Sequence, residues 1–263
     1  MAIQRDINRM ISGISYGRYE TKLEKEVLKG DLPNHIAVIM DGNRRYAEDM
    51  MNGDVNEGHV KGKDKLEEFL DWCTRIGVRI ITVFAFSTEN FSRDEKEVNF
   101  IMEMLEETFL KFADDEKIHS NKVALRMIGD RDLLPENVIK AAEYAEGKTA
   151  KYTDYQLNVA IAYGGRQEIT RAVREIAAQV KDGTIDVAEI NEETISRNLY
   201  TFDIPDPDLV LRTSGEQRVS NFLLWQLAYS EFYFTDVFWP GFRYIDLLRA
   251  VRSYQQRSRR FGQ

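Results

Sequence analysis

The run Asp41-Gly42-Asn43-Arg44-Arg45-Tyr46 puts a carboxylate, a glycine and two guanidinium groups side by side. A guanidinium presents parallel N–H donors that match phosphate oxygens. Gly42 lets the backbone come close to a ligand, and N–H groups at a helix start favour anions. A carboxylate beside a phosphate is repulsive unless a cation lies between them. Mg²⁺ typically uses one or two carboxylates together with substrate phosphates and water. Asp41 therefore reads as a Mg²⁺ ligand, and its other reading is a turn or N-cap aspartate. Arg93, Arg212 and Arg218 add further phosphate-type donors after other apolar runs. Neither G-x-G-x-x-G nor G-x-x-x-x-G-K-[ST] occurs, so the phosphate is not that of a conventionally bound dinucleotide or a P-loop triphosphate.

Scattered residues need elements that bring them together. Six apolar, β-branched or aromatic runs read as strands: His35–Met40, Ile80–Phe86, Val123–Ile128, Leu157–Tyr163, Leu209–Leu211 and Glu231–Val237. Gly58–Ile76 and Glu95–Ile118 carry apolar residues at helical spacing, with Asp94 as a cap for the second. Pro135 suits the first turn of another helix. The alternation predicts an α/β fold: one domain with a mostly parallel six-stranded sheet flanked by helices, and no Rossmann nucleotide site. In such sheets ligands bind beyond the carboxyl ends of the strands. Polar, glycine-bearing turns recur there: Asp41–Tyr46, Ser87–Arg93, Gly129–Arg131, Gly164–Arg166 and Arg212–Arg218. Residues 1–30 read as a separate N-terminal amphipathic helical segment, with Ile14–Lys29 its helix, and residues 31–263 as the domain proper.

The chain has 263 residues and a net charge of −8, so an anionic ligand is held by a local basic cluster and general nucleic-acid binding is not expected. The single cysteine, Cys73, excludes a disulfide framework within one chain and reads as a small buried apolar residue. The N-terminus lacks a signal-peptide apolar core, and no apolar stretch is long enough to span a membrane. A cytoplasmic protein with at most a peripheral membrane contact is expected.

In order along the chain, these motifs resemble the cis-prenyltransferase (undecaprenyl diphosphate synthase) family. The resemblance is carried by His35–Arg45, Gly58-His59, Phe86–Arg93, Asn158–Arg166, Asp208–Gln226 and Tyr229–Pro240. It implies a Mg²⁺-dependent enzyme that joins isopentenyl diphosphate to an allylic prenyl diphosphate and makes a cis double bond at each addition. It implies a dimer, homomeric or heteromeric, of which the homodimer is the expectation. By position, Asp41 would hold Mg²⁺. Gly42, Asn43, Arg44, Arg45 and Tyr46 would wrap the allylic diphosphate, with His59 beside it. Ser87, Thr88, Glu89, Asn90, Phe91 and Arg93 would line the reacting centre. Asn90 is the family's suggested proton-handling residue, although an amide is a poor base and a diphosphate oxygen is the alternative acceptor. Arg212, Arg218, Val219 and Ser220 would bind isopentenyl diphosphate, and Glu231 would complete the metal site. The tail Arg260-Phe261-Gly262 resembles a motif that reaches the partner subunit's isopentenyl site, which makes Arg260 and Gly262 phosphate contacts.

The growing product is apolar, so a greasy tunnel is required. Candidates for its wall are Val83, Ala85, Leu125 and Leu157, faced by Val98, Ile101, Met102, Leu105 and Phe109; ordinary core packing is the alternative for each. Two positions depart from the family pattern. Val55 stands where many relatives carry an arginine. Tyr155 stands where a smaller residue is common, which predicts a shortened tunnel and product. Two other functions fit the same motifs: prenyl transfer to a different acceptor, such as an allylic diphosphate or an alcohol, and a non-catalytic partner subunit. The second would lack the metal aspartate or the arginines, and both are present.

Overall fold

The computed structural model describes residues 17–257. All six expected strands form: β1 His35–Ile39, β2 Ile80–Ser87, β3 Val123–Ile128, β4 Tyr155–Tyr163, β5 Leu209–Arg212 and β6 Glu231–Phe234. They make one sheet in the order β3-β4-β2-β1-β5-β6. Every neighbouring pair is parallel, so the sheet is wholly rather than mostly parallel. The apolar runs form strands because both faces of such a sheet are covered. All five residues of β1 are buried. Ile36 and Val38 face the larger core, and Ala37 and Ile39 face the smaller one behind the sheet.

The helices described are α1 over residues 17–27, α2 Asn43–Met50, α3 Val55–Ile76, α4 Glu95–Ala113, α5 Glu116–Ser120, α6 Glu136–Thr149, α7 Gly165–Lys181, α8 Glu192–Arg197 and α9 Tyr244–Gln256. α3 starts earlier than its apolar spacing indicated. The Asp54 carboxylate accepts from the Asn56 and Glu57 amides and caps it. The single helix expected through Ile118 breaks after Ala113. There the Asp115 carboxylate accepts from the Lys117 and Ile118 amides and starts α5, an alternative to continuing the ladder. Asp94 caps α4 as expected. Cys73 lies in the larger core, and burial pushes its thiol up. Leu23 and Val27 of α1 sit in that same core, and Glu24 makes two 2.7 Å bonds to Arg75 of α3. The described part of the N-terminal segment thus packs on the body. The rest of that segment, and the tail with Arg260 and Gly262, lie outside the described residues.

Strand order decides where a ligand can sit. The chain leaves β1 for β2 on one side and leaves β5 for β6 on the other. Neighbouring strands whose connections diverge leave a crevice at their carboxyl ends. The β1–β5 boundary is therefore the expected binding cleft.

Beneath this cleft lies a buried polar cluster. His35 Nδ1 donates to the Pro205 carbonyl at 2.6 Å, which leaves Nε2 to accept from the Thr82 hydroxyl at 2.7 Å. Burial pulls the ring down to about 4, against the Pro205 carbonyl and the Asp208 carboxylate. An unfolded histidine takes its proton near 6.5 and the folded one only near 4. The unfolded chain therefore binds more protons in this window, and stability falls as pH drops through it. About 3 kcal/mol should be lost between these limits and none above them. Urea denaturation of wild type and His35→Gln across this range tests this. The variant should start less stable at neutral pH and show a flatter decline; equal slopes would contradict the assignment.

Candidate active site

Asp41 leaves the end of β1 and Arg212 ends β5, so the two side chains meet across the cleft. Arg212 donates to Asp41 Oδ2 at 2.8 Å and to Ser220 Oγ at 2.8 Å, and also to the Arg218 carbonyl. Arg45, one helical turn beyond Asp41, lies 3.4 Å from Asp41 Oδ1 and donates to Ser214 Oγ at 2.7 Å. Partial burial opposes the charged form of Asp41. Hydrogen bonds from Arg212 and Ser214 and the charges of Arg212 and Arg45 outweigh it and hold the carboxyl below its ordinary range. The Asp41 carbonyl accepts from Thr213 Oγ1 at 2.6 Å and from the Trp239 amide at 3.0 Å, which fixes the loop itself.

Two glycines make this loop possible. Gly42 has φ 105°, a left-handed conformation, and a Cβ there would lie 2.8 Å from the Phe238 ring. Gly62 of α3 lets Asn43 lie against the helix, since a Cβ there would meet Asn43 Oδ1 at 2.6 Å. The Asn43–Met50 helix starts directly after Gly42, so its first N–H groups open toward the cleft.

The turn after β2 supplies the second wall. The Ser87 amide donates to Asn90 Oδ1 at 3.0 Å in a capping box. With its carbonyl oxygen used in this way, Asn90 presents its amide nitrogen, which is a donor. Glu89 accepts from Asn221 Nδ2 at 3.0 Å. Burial resists ionisation of Glu89, but hydrogen bonds from its own backbone, Asn221, Ser87 and Thr88 hold its carboxyl below the usual range.

His59 of α3 has its Nε2 3.1 Å from Glu97 Oε1, and that same oxygen accepts from Arg93 at 3.0 Å. Arg44 lies 3.7 Å from the other Glu97 oxygen. Burial first, and then Arg93 and Arg44, hold the His59 ring below its ordinary value against the pull of Glu97. His59 is therefore neutral near pH 7. Glu97 escaped the sequence reading, although its i,i+4 spacing from Arg93 across the start of α4 was a usable signal.

These groups rim a cavity of about 840 Å³. Asp41, Gly42, Asn43, Arg44, Arg45, His59, Ser87, Glu89, Asn90, Arg93, Arg212, Arg218 and Ser220 all line it. Tyr46, Thr88, Phe91 and Val219 do not. Phe91 stacks edge-on to Phe86 in the larger core, and Val219 packs against the smaller one. The deep wall is apolar and includes the expected Ala85, Leu125, Ile101, Leu105 and Phe109. Val98 and Met102 pack in the larger core instead. Lys63, one turn after His59, also lines the cavity, whereas Val55 does not.

Phe112 lines this cavity and also a second one of about 130 Å³, lined by Tyr155 and Leu157. It is the residue the two linings have in common. Tyr155 thus lines the smaller cavity and not the main one, whereas Phe112 lines both.

Glu231 does not join Asp41. It begins β6 opposite Leu209, which is itself opposite Ile36, whereas Asp41 follows the far end of β1. About 3.3 Å per residue separates the two positions by roughly 16 Å along the strands. Glu231 instead pairs with Arg257 at 2.8 Å. Within one chain, therefore, Glu231 does not complete the metal site expected of it beside Asp41. Among the described residues no group of three His, Cys, Asp or Glu side chains could hold a metal unaided. One ionised carboxylate within a ring of arginines fits a hard cation bound jointly with diphosphate oxygens and water.

Known proteins resemble this chain in sequence and fold. Residues 39–262 match the family described as "Putative undecaprenyl diphosphate synthase". The chain is 53% identical over 247 residues to the tritrans,polycis-undecaprenyl-diphosphate synthase (geranylgeranyl-diphosphate specific) of Methanopyrus kandleri, covering 94% of this chain and 91% of that one. It is 51% identical to the enzyme of the same name from Thermococcus kodakarensis, covering 94% and 93%. The crystal structure of lavandulyl diphosphate synthase from Lavandula x intermedia, in complex with dimethylallyl diphosphate, superposes with a TM-score of 0.83 at 37% identity, covering 88% of this chain and 99% of that one. No described helix is long and apolar enough to cross a membrane. The ordered motifs, the wholly parallel sheet and the arginine-rimmed greasy cavity agree with these likenesses, and the chain belongs to the undecaprenyl diphosphate synthase family of cis-prenyltransferases.

Proposed function

We propose that this enzyme extends geranylgeranyl diphosphate with successive isopentenyl diphosphate units to give a polycis-prenyl diphosphate, a lipid-carrier precursor. The observation that carries the reading is a single cavity with an Asp41–arginine rim and an apolar floor. The starter follows the names of the two archaeal relatives.

In each addition the allylic C1–O bond breaks and its electron pair leaves with the diphosphate. The isopentenyl double bond attacks C1 through C4, and the tertiary cation at C3 loses a proton from C2 to form the new double bond. Arg44, Arg45 and the opening turn of α2 hold the allylic diphosphate, and Arg212, Arg218 and Ser220 hold the isopentenyl diphosphate. These fixed cations and dipoles meet the negative charge that develops on the leaving group, in a setting that need not reorganise. Close placement of the two substrates accounts for much of the remaining barrier lowering. Mg²⁺ bound at Asp41 would supply Lewis-acid stabilisation of the leaving diphosphate. His59 is neutral and turned to Glu97, and Asn90 presents a donor, so a diphosphate oxygen is the better proton acceptor. Arg260 and Gly262 complete the isopentenyl site of the partner subunit in a homodimer, a part of the reading that rests on the resemblance of the tail. Labelled isopentenyl diphosphate with Mg²⁺ and a panel of allylic primers tests the whole reading. Turnover should be greatest with the C20 primer, and no incorporation with any primer would refute it.

Product length should follow Phe112. Phe112→Ala opens the main cavity into the one behind it and should shift products longer by several isoprene units. Tyr155→Ala alone should do little. Emptying that site costs about 3–5 kcal/mol of stability, so Phe112→Leu serves as the milder check. Chromatographic sizing of the extracted products decides between them. Lengthening by Tyr155→Ala but not by Phe112→Ala would move the stopper back to Tyr155.

A further inference from the structure

Asn221 lines the cavity, yet its amide is spent on the protein. Its Nδ2 donates to Glu89 Oε1 and to Gln167 Oε1, both at 3.0 Å. Its Oδ1 accepts from the Arg166 amide at 2.9 Å, and its carbonyl accepts from the Gly165 amide at 2.6 Å. Both side-chain protons are committed, so none remains for a substrate. The partners come from two different strand-end turns, those after β2 and β4, while Asn221 itself belongs to the loop after β5. One side chain therefore ties three loops of the rim together.

The local backbone is shaped for this purpose. Ser220, Asn221 and Leu223 have φ of 48°, 64° and 44°, a left-handed conformation that residues other than glycine seldom adopt. Asparagine tolerates it better than most. Strain of this kind persists only where surrounding contacts over-determine it, and it concentrates at ligand clamps. The Gly164-Gly165 pair allows the approach. A Cβ on Gly164 would lie 2.7 Å from Asn221 Nδ2, and one on Gly165 would lie 3.1 Å from the Asn221 carbonyl. The two glycines of this turn thus make room for Gln167, Leu224 and Asn221 together, since Cβ atoms there would come still closer to Gln167 Oε1 and, at 2.8 Å, to Leu224 Cγ. From Asn221 the contacts continue through the adjacent Ser220 to Arg212 and on to Asp41.

We propose that Asn221 is a positioning residue, which joins the Glu89, Gly165–Gln167 and Ser220 loops into one rigid rim and thereby sets the affinity for isopentenyl diphosphate without touching it. The inference rests on the assignment of the Arg212–Ser220 loop to that substrate.

The Glu89–Asn221 pair can be inverted. Asn221→Asp sets two carboxylates against each other and should raise the KM for isopentenyl diphosphate by about ten-fold or more, with the KM for the allylic primer changed far less. Adding Glu89→Gln restores a donor on the opposite side, and the Gln167 amide can rotate to donate as well. The double variant should recover most of the lost affinity. A merely structural role would not give recovery specific to this pairing or to one substrate. Glu89→Ala removes the same link without altering the strained loop, and it should reproduce the rise even where Asn221→Asp folds poorly. The proposal is overturned if the isopentenyl KM is unchanged in the single variants, or if the double variant is no better than Asn221→Asp. Wild-type enzyme that turns over primer without needing isopentenyl diphosphate would instead overturn the substrate assignment, so the two failures are distinguishable.

Discussion

Asp41→Asn should lower kcat by about 10³-fold or more while leaving the fold intact. The substitution keeps the shape of the side chain and removes only its charge. That charge is what would hold the divalent cation at the leaving diphosphate. Asp41 is held ionised by Arg212 and Arg45, so the wild-type site presents a full negative charge at neutral pH. Without it the arginines remain, so diphosphate binding should persist while catalysis fails. Binding of the allylic diphosphate by calorimetry should therefore change much less than kcat. Thorough chelation of wild type should mimic the variant, and added Mg²⁺ should rescue wild type but not Asp41→Asn. Turnover by the variant within ten-fold of wild type would remove Asp41 from the mechanism. The circular dichroism spectrum should stay native, because the Asp41 carbonyl still ties the loop, while the melt should fall by a few degrees because buried Arg212 loses its charged partner.

Arg212→Ala should be the next most damaging change, at about 10²–10³-fold in kcat/KM for isopentenyl diphosphate. Arg212 is almost fully buried, and one guanidinium binds both Asp41 and Ser220. Truncating one partner of a buried charged pair costs about 2–5 kcal/mol, much of it from the group left behind. Lysine cannot replace it, because an ammonium does not present a planar fork in two directions at once. Arg212→Lys should therefore recover only a small part of the loss. Steady-state kinetics with each substrate varied in turn would show the effect on the isopentenyl side first. Equal effects on both substrates would mean that Arg212 acts chiefly through Asp41, and normal kinetics in Arg212→Ala would exclude it from the site.

The loops that carry these residues were recognisable as strand-end turns because strands announce themselves locally. Runs such as Ile36–Ile39 and Val159–Tyr163 are apolar or aromatic throughout, and a polar glycine turn follows each. Where the reading slipped, a side chain had intervened. Asp115 broke a helix by capping a new one, and Asp54 started another early. Thirteen residues of the resembling motifs line the one cavity, whereas Phe91 and Val219, counted with them, pack against the two cores. Motif membership reports that a residue matters, and burial decides for what.

The sequence by itself determined the wholly strand-and-helix architecture, the ionic rim and the family, because period, turn chemistry and ordered motifs are properties of neighbours along the chain. Tertiary structure decided which ends of which strands meet. It placed Arg212 on Asp41, sent Glu231 to the opposite end of the sheet, put Phe112 but not Tyr155 on the main cavity, and gathered three loops around Asn221. The physical reason is that register and strand order arise from packing between segments far apart in the chain, and no local pattern encodes how those segments align.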